Sequence, residues 1–181
     1  MTDRLQLPWP DAQAFEGRQG RPIRLLAVSD ELDPTLESPA TRAGLEPLDL
    51  IVGCGDLEPA YLSFLADAFG VPLAYVRGNH DIGGGWRAAR DVVPDALSDG
   101  RVHAEDGLRL LPFSGSPRYA PHGHPDAEQQ VSAGNMWRKV IWAWPGAMVR
   151  RPLLVMTHAA PRGLNDDTDQ AHRGFNIEIE A

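Results

Sequence analysis

Cysteine is almost missing from this chain: among 181 residues, Cys54 stands alone. That excludes an internal disulfide and fits a reducing compartment. Long apolar runs are missing as well. No stretch approaches the ~20 residues that cross a bilayer. The opening residues are polar and rich in proline and glycine, without the basic start and apolar segment of a secretory leader. The chain therefore reads as cytoplasmic, with no membrane among its partners. Positive charge is in deficit, with 17 basic against 25 acidic residues and a net charge of −8. The arginines are scattered or paired, as at Arg150-Arg151, so bulk nucleic-acid binding is disfavoured.

Several signatures of other chemistry are lacking. Gly53-Cys54-Gly55-Asp56-Leu57-Glu58 lacks the third glycine of a dinucleotide-binding turn, and its acidic residue would face the pyrophosphate. No Gly-Lys-Ser/Thr phosphate loop occurs. Asp30-Glu31-Leu32 is not the Asp-x-Asp of a haloacid-dehalogenase-type phosphatase. Internal repeats and low-complexity segments are absent. Cys54 itself, between two glycines, reads as a small buried apolar residue rather than a nucleophile.

What is present is a set of apolar runs that each stop at a potential metal ligand. Leu25-Leu26-Ala27-Val28 leads to Asp30, and Leu50-Ile51-Val52 leads to Asp56. Val71 to Val76 leads to Gly78-Asn79-His80-Asp81, and Leu153 to Thr157 leads to His158. Carboxylates, an amide oxygen and imidazoles at strand ends form the donor set of a hydrolytic metal centre.

The organisation is that of one domain over residues 23–181, preceded by an arm over 1–22 that lies on the surface or stays mobile. Strands are expected at Ile23–Val28, Leu48–Val52, Leu73–Val76 and Leu153–Thr157. A hairpin pair, Val102-His103 and Leu108–Phe113, turns at Asp106-Gly107. Pro34–Ala43 reads as a loop with a short helical turn, and Gly83-Gly84-Gly85 as a flexible loop. One helix runs from Pro59 to about Phe69, closed by Gly70. A second runs from an Asp126 cap to about Trp144, ended by Pro145-Gly146, with Met136, Trp137, Val140, Ile141 and Trp144 spaced to face a core. Strand–helix–strand alternation implies an α/β fold with a parallel sheet, whose ligands gather at the carboxyl ends of the strands.

The ordered blocks Gly55-Asp56, Gly78-Asn79-His80-Asp81 and Thr157-His158 resemble the calcineurin-like metallophosphoesterase family over roughly residues 23–176. The resemblance implies two packed β-sheets flanked by helices, an αββα sandwich. It implies a hydrolase, a phosphatase acting on a phosphomonoester or phosphodiester through a metal-bound hydroxide. One or two divalent ions, manganese first and iron or zinc as alternatives, would be held by Asp30, Asp56, Asn79 and His158. By the same resemblance Asp56 bridges the ions, His80 contacts the phosphate or leaving oxygen, and Asp81 orients the His80 imidazole.

Two blocks depart from the family pattern. Leu32 occupies the histidine slot of Asp-x-His, and Asp33 reaches the site only if the chain turns there. The final Gly-His-x-His block is absent, so the last strands of the second sheet are expected to be missing. An exposed sheet surface, open to homo-oligomerisation, would follow. Gly123-His124-Pro125-Asp126 does not replace the block, since it precedes Thr157-His158; His122 and His124 read as solvent-exposed. His172 reads as a loop histidine bonded to Asp166 or Asp167 ahead of a substitute ligand. The partner expected is a small phosphorylated substrate. The alternative is a catalytically impaired module of the same fold that binds a metal or a phosphorylated ligand.

Overall fold

The structure is a computed structural model that describes residues 4–11, 18–45, 47–88, 91–105, 107–119, 129–150 and 153–161. The chain is α/β. Strands β1 (Leu25–Val28), β2 (Leu50–Gly53) and β3 (Leu73–Tyr75) form a parallel sheet in the order β1-β2-β3. Leu26 pairs with Ile51, and Val52 with Ala74. A second sheet holds β4 (His103–Glu105), β5 (Leu108–Phe113) and β8 (Leu154–Thr157). There β4 is antiparallel and β8 parallel to β5. A short parallel pair, β6 (Ser116–Pro117) and β7 (Gln130–Val131), lies apart from both sheets.

Alternation along each strand divides the core. Ile51 and Tyr75 leave the first sheet on one side to pack on Tyr61, Leu62 and Leu65 of α2 (Pro59–Phe69) and Trp86 of α3 (Gly84–Ala88). Leu50, Val52 and Ala74 leave it on the other side and meet Leu108 and Leu110 of β5 and Met156 of β8. The opposite face of β5 sends Leu111 and Phe113 onto Met136 and Ala143 of α4 (Ala133–Val149). Both sheets thus deliver their parallel strands' carboxyl ends to loops that meet around one cluster.

The expected strands and α2 form at nearly the expected residues. Pro59 opens α2, and Gly70 closes it at φ +64, a left-handed cap that relieves the strain a side chain would carry there. Pro34–Glu37 forms a 3₁₀ turn and α1 follows at Pro39–Leu45, more helix than expected. Gly83-Gly84-Gly85 is not simply a loop: α3 starts at Gly84, because Trp86 finds a stacking partner in Tyr75 with ring centres 5.7 Å apart.

Helix α4 departs most. It begins at Ala133 under a Ser132 cap and passes through Pro145 to Val149. Asp126, His122 and His124, together with Asp106, Asp166, Asp167 and His172, lie outside the described residues. Met136 and Ala143 face the core, but Trp137, Ile141 and Trp144 are exposed rather than buried. The main exposed apolar area among the described residues is therefore on a helix, although Val155 of β8 is also 54% exposed.

The described part of the amino-terminal arm is docked. Trp9 packs against the cluster between the sheets. Arg18 and Arg21 both pair with the buried Asp49, which also accepts the backbone N–H of Arg24. No helix among the described residues is long and apolar enough to cross a membrane.

Candidate metal centre

Each candidate ligand sits just past the carboxyl end of a strand. Asp30 follows β1, Asp56 follows β2, Asn79 follows β3 and His158 follows β8. Asp30 and Asp56 both adopt left-handed backbone conformations, at φ +63 and +57. Such a conformation costs about 1–2 kcal/mol for a residue with a side chain. It is retained where the surroundings over-determine it, a pattern concentrated at functional sites. Here it turns the chain sharply at the strand end and leaves both carboxylates at the sheet edge.

The loops are laced to one another. The Asp30 N–H donates to the Gly55 carbonyl at 3.1 Å. One oxygen of Asp81 accepts the N–H groups of Asp56 (2.9 Å) and Gly78 (2.7 Å), joining the loops after β2 and β3. Its other oxygen accepts the Trp86 indole at 3.1 Å. The N–H of His80 donates to Oδ1 of Asp56 at 2.8 Å. Two glycines allow this closeness. A methyl group on Gly78 would overlap the Asp56 carboxylate, and one on Gly55, at φ +100, would lie 2.8 Å from Nδ1 of His158.

At the centre, candidate ligand atoms of Asp30, Asp56 and His158 lie within 4.8 Å of one another. Nε2 of His158 is 2.9 Å from Oδ1 of Asn79 and 3.4 Å from Oδ2 of Asp56. Nδ1 of the same ring lies 2.9 Å from the Cys54 carbonyl, which can only accept. Nδ1 therefore carries a proton, and Nε2 is the nitrogen turned to the oxygens. Fixing an imidazole through its far nitrogen is how metal-binding histidines are oriented. All four residues singled out from the sequence as ligands are brought together.

The electrostatics have nameable causes. Burial alone would raise the Asp56 carboxyl, but His158 and the His80 amide bring it below its usual value. Burial disfavours the His158 imidazolium, yet the hydrogen bond and charge of Asp56, with Asp30 behind it, raise its pKa. Burial pushes the Asp81 carboxyl up against the backbone N–H groups that bind it. Burial and then the charge of Asp30 push the Cys54 thiol up to about 11, so it is no nucleophile at neutral pH.

Other expectations on this site resolve differently. Asp81 does not orient the His80 ring: its oxygens are bound by two backbone amides and an indole. His80 is exposed beside the cluster. Leu32 is 53% exposed, so the histidine slot holds no donor. Asp33 does not reach in; it caps the 3₁₀ turn by accepting from Thr35. Tyr119 was not foreseen, and its hydroxyl receives the Asn79 amide N–H at 3.2 Å, leaving Oδ1 for the centre.

Two carboxylates, an amide oxygen and one imidazole nitrogen are hard or borderline donors that suit manganese, iron or zinc. Asp56, Asn79 and His158 would be the donors to one cation, and Asp30 with Asp56 the donors to a weaker, more hydrated position. No family model, curated protein or solved structure matches the chain.

Proposed function

We propose that this protein is a cytoplasmic, metal-dependent phosphoesterase of the calcineurin-like metallophosphoesterase type, acting on a small phosphomonoester or phosphodiester. The observation that carries the reading is the convergence of Asp30, Asp56 and His158 within 4.8 Å, with Asn79 bonded to the same imidazole. The packing order, with α2 on one sheet, that sheet on the second and the second on α4, supports an αββα sandwich of that type.

In this reading Asp56, Asn79 and His158 hold one divalent cation, and Asp30 with Asp56 a second. Bound there, such ions supply Lewis-acid stabilisation of phosphoryl oxygens and acidify water. The protein's own residues position and protect. His80, exposed and anchored through its N–H to Asp56, contacts the phosphate or the leaving oxygen. The Cys54 carbonyl keeps His158 in the required tautomer, and Asp81 holds the loops after β2 and β3 at fixed separation.

A second reading, a non-catalytic module that binds a metal or a phosphorylated ligand, is favoured by one feature: the exposed Leu32 where the family pattern has a histidine. Metal content after dialysis, with cleavage of p-nitrophenyl phosphate and bis-p-nitrophenyl phosphate with and without manganese, separates the two. The phosphoesterase reading expects retained metal and manganese-dependent turnover. It expects His80→Ala to keep the metal and lose about 100-fold or more in kcat. Asp56→Asn should lose both. Metal without turnover leaves the binding module, and neither metal nor turnover defeats the metal centre itself.

A further inference from the structure

Helix α4 buries Met136 and Ala143 and leaves much of its remaining surface apolar and open. Trp137 is 49% exposed, Ile141 64%, Trp142 81%, Trp144 58% and Val149 85%. Positions 137, 141 and 144 recur at four and three residues and share one edge of the exposed half of the helix, and 142 and 149 lie at its other edge, roughly 100° further round, with Arg138 and Pro145 between. Three of the chain's five tryptophans lie on this one helix. Large exposed apolar side chains spread across the outer half of one helix on a folded domain mark an interaction surface.

The charge pattern selects the occupant. From Ala133 to Arg150 there is no Asp or Glu, while Arg138, Lys139 and Arg150 are all present, in a chain of net charge −8. Beside the apolar face lies an open recess of about 740 Å³ lined by Arg101, Arg118, Arg138, Lys139 and Trp142, with Asp99 as its carboxylate. Asp99 is already paired with Lys139. A second copy of the chain packing α4 against α4 would bring these cations together with no acidic residue on either helix to answer them. Tryptophan and aliphatic side chains among arginine and lysine, on a helix too short and polar to span, are the composition of a helix that lies in a lipid interface.

We propose that the outer face of α4 docks flat on an anionic lipid surface, tryptophans in the headgroup layer and the basic recess against lipid phosphates. That no helix among the described residues is long and apolar enough to cross a bilayer does not bear on lying at its surface. The proposal stands apart from the metal centre, since none of its residues is a candidate ligand.

The test is co-sedimentation of the whole chain with vesicles of mixed phosphatidylglycerol and phosphatidylcholine against vesicles of phosphatidylcholine alone. The anionic vesicles should bind the protein at least about tenfold more strongly, and added salt should weaken that binding. Lipids brominated near the headgroup should quench tryptophan fluorescence. The double variant Ile141→Ser, Trp142→Ser alters exposed positions only and should lower the partition by about tenfold; Arg138→Glu should lower it on anionic vesicles alone. Circular dichroism of each variant checks that the fold is kept. Equal partition to neutral and anionic vesicles, no sedimentation at all, or unchanged binding by the folded variants would each overturn the proposal. So would a dimer in sedimentation velocity that the double variant dissolves, which would make a second copy the occupant.

Discussion

Asp81, only 3% exposed, answers three donors from three places: the Asp56 and Gly78 amides and the Trp86 indole. Removing it strands those donors in the interior. Asp81→Ala should lower the unfolding free energy by roughly 3–5 kcal/mol, read by urea denaturation. An unchanged midpoint would refute the role given to it. His80→Ala, at an exposed position, should change stability by less than about 0.5 kcal/mol in the same assay. Gly78→Ala should cost metal binding, because its methyl and the Asp56 carboxylate claim one space; isothermal titration with manganese reads this. At this scale the meeting of Asp30, Asp56, Asn79 and His158 is legible, because each is a metal-type donor stationed just after an apolar run. Tyr119 and Trp86 were not. Tyr119 meets Asn79 across 40 positions, and such a meeting leaves no periodic trace in the sequence. Asp81 was misassigned because adjacency to His80 in sequence says little about partners in a tight turn.

Among elements, α2 and α4 make an instructive pair. Helix α2 carries its start and stop signals in Pro59 and Gly70, and its apolar residues Tyr61, Leu62 and Leu65 are all buried. Leu65→Ala, at a position with no exposure, should cost about 2–5 kcal/mol. Helix α4 has apolar residues on several faces, so periodicity could not tell which face is covered. From the sequence alone its Pro145 reads as a terminator, since a proline inside a helix removes one hydrogen bond and costs about 3 kcal/mol. The helix nevertheless continues through Pro145, and the carbonyl that loses its i+4 partner there belongs to Ile141, a residue on the exposed side of the helix. Its true start is Ser132, whose hydroxyl accepts the Asn135 N–H at 3.3 Å. Ser132→Ala should destabilise by about 1 kcal/mol in thermal or chemical unfolding.

For the molecule as a whole, the arm is fastened through Asp49. Burial alone would raise this carboxyl, but hydrogen bonds from Arg21, the Arg24 amide and Arg18 bring it from 3.8 down to about 2. A depressed carboxyl stabilises the fold fully above its unfolded value and loses that contribution as pH falls towards 2. The amount is about 2 kcal/mol. Denaturation midpoints between pH 5 and pH 2 should fall, and Asp49→Asn should flatten that fall. The α/β plan was legible from strand–helix alternation, and the docking of the arm was not, because it depends on pairs 28 and 31 positions apart. Long separations also govern the assembly of the site. His158 reaches a carbonyl 104 positions upstream, from the end of a strand that pairs with β5. As the polypeptide leaves the ribosome, Asp30, Asp56 and Asn79 emerge long before their imidazole. A nascent chain that has not yet exposed β8 carries the three oxygen donors without their nitrogen, so the cluster cannot be complete before His158 has emerged.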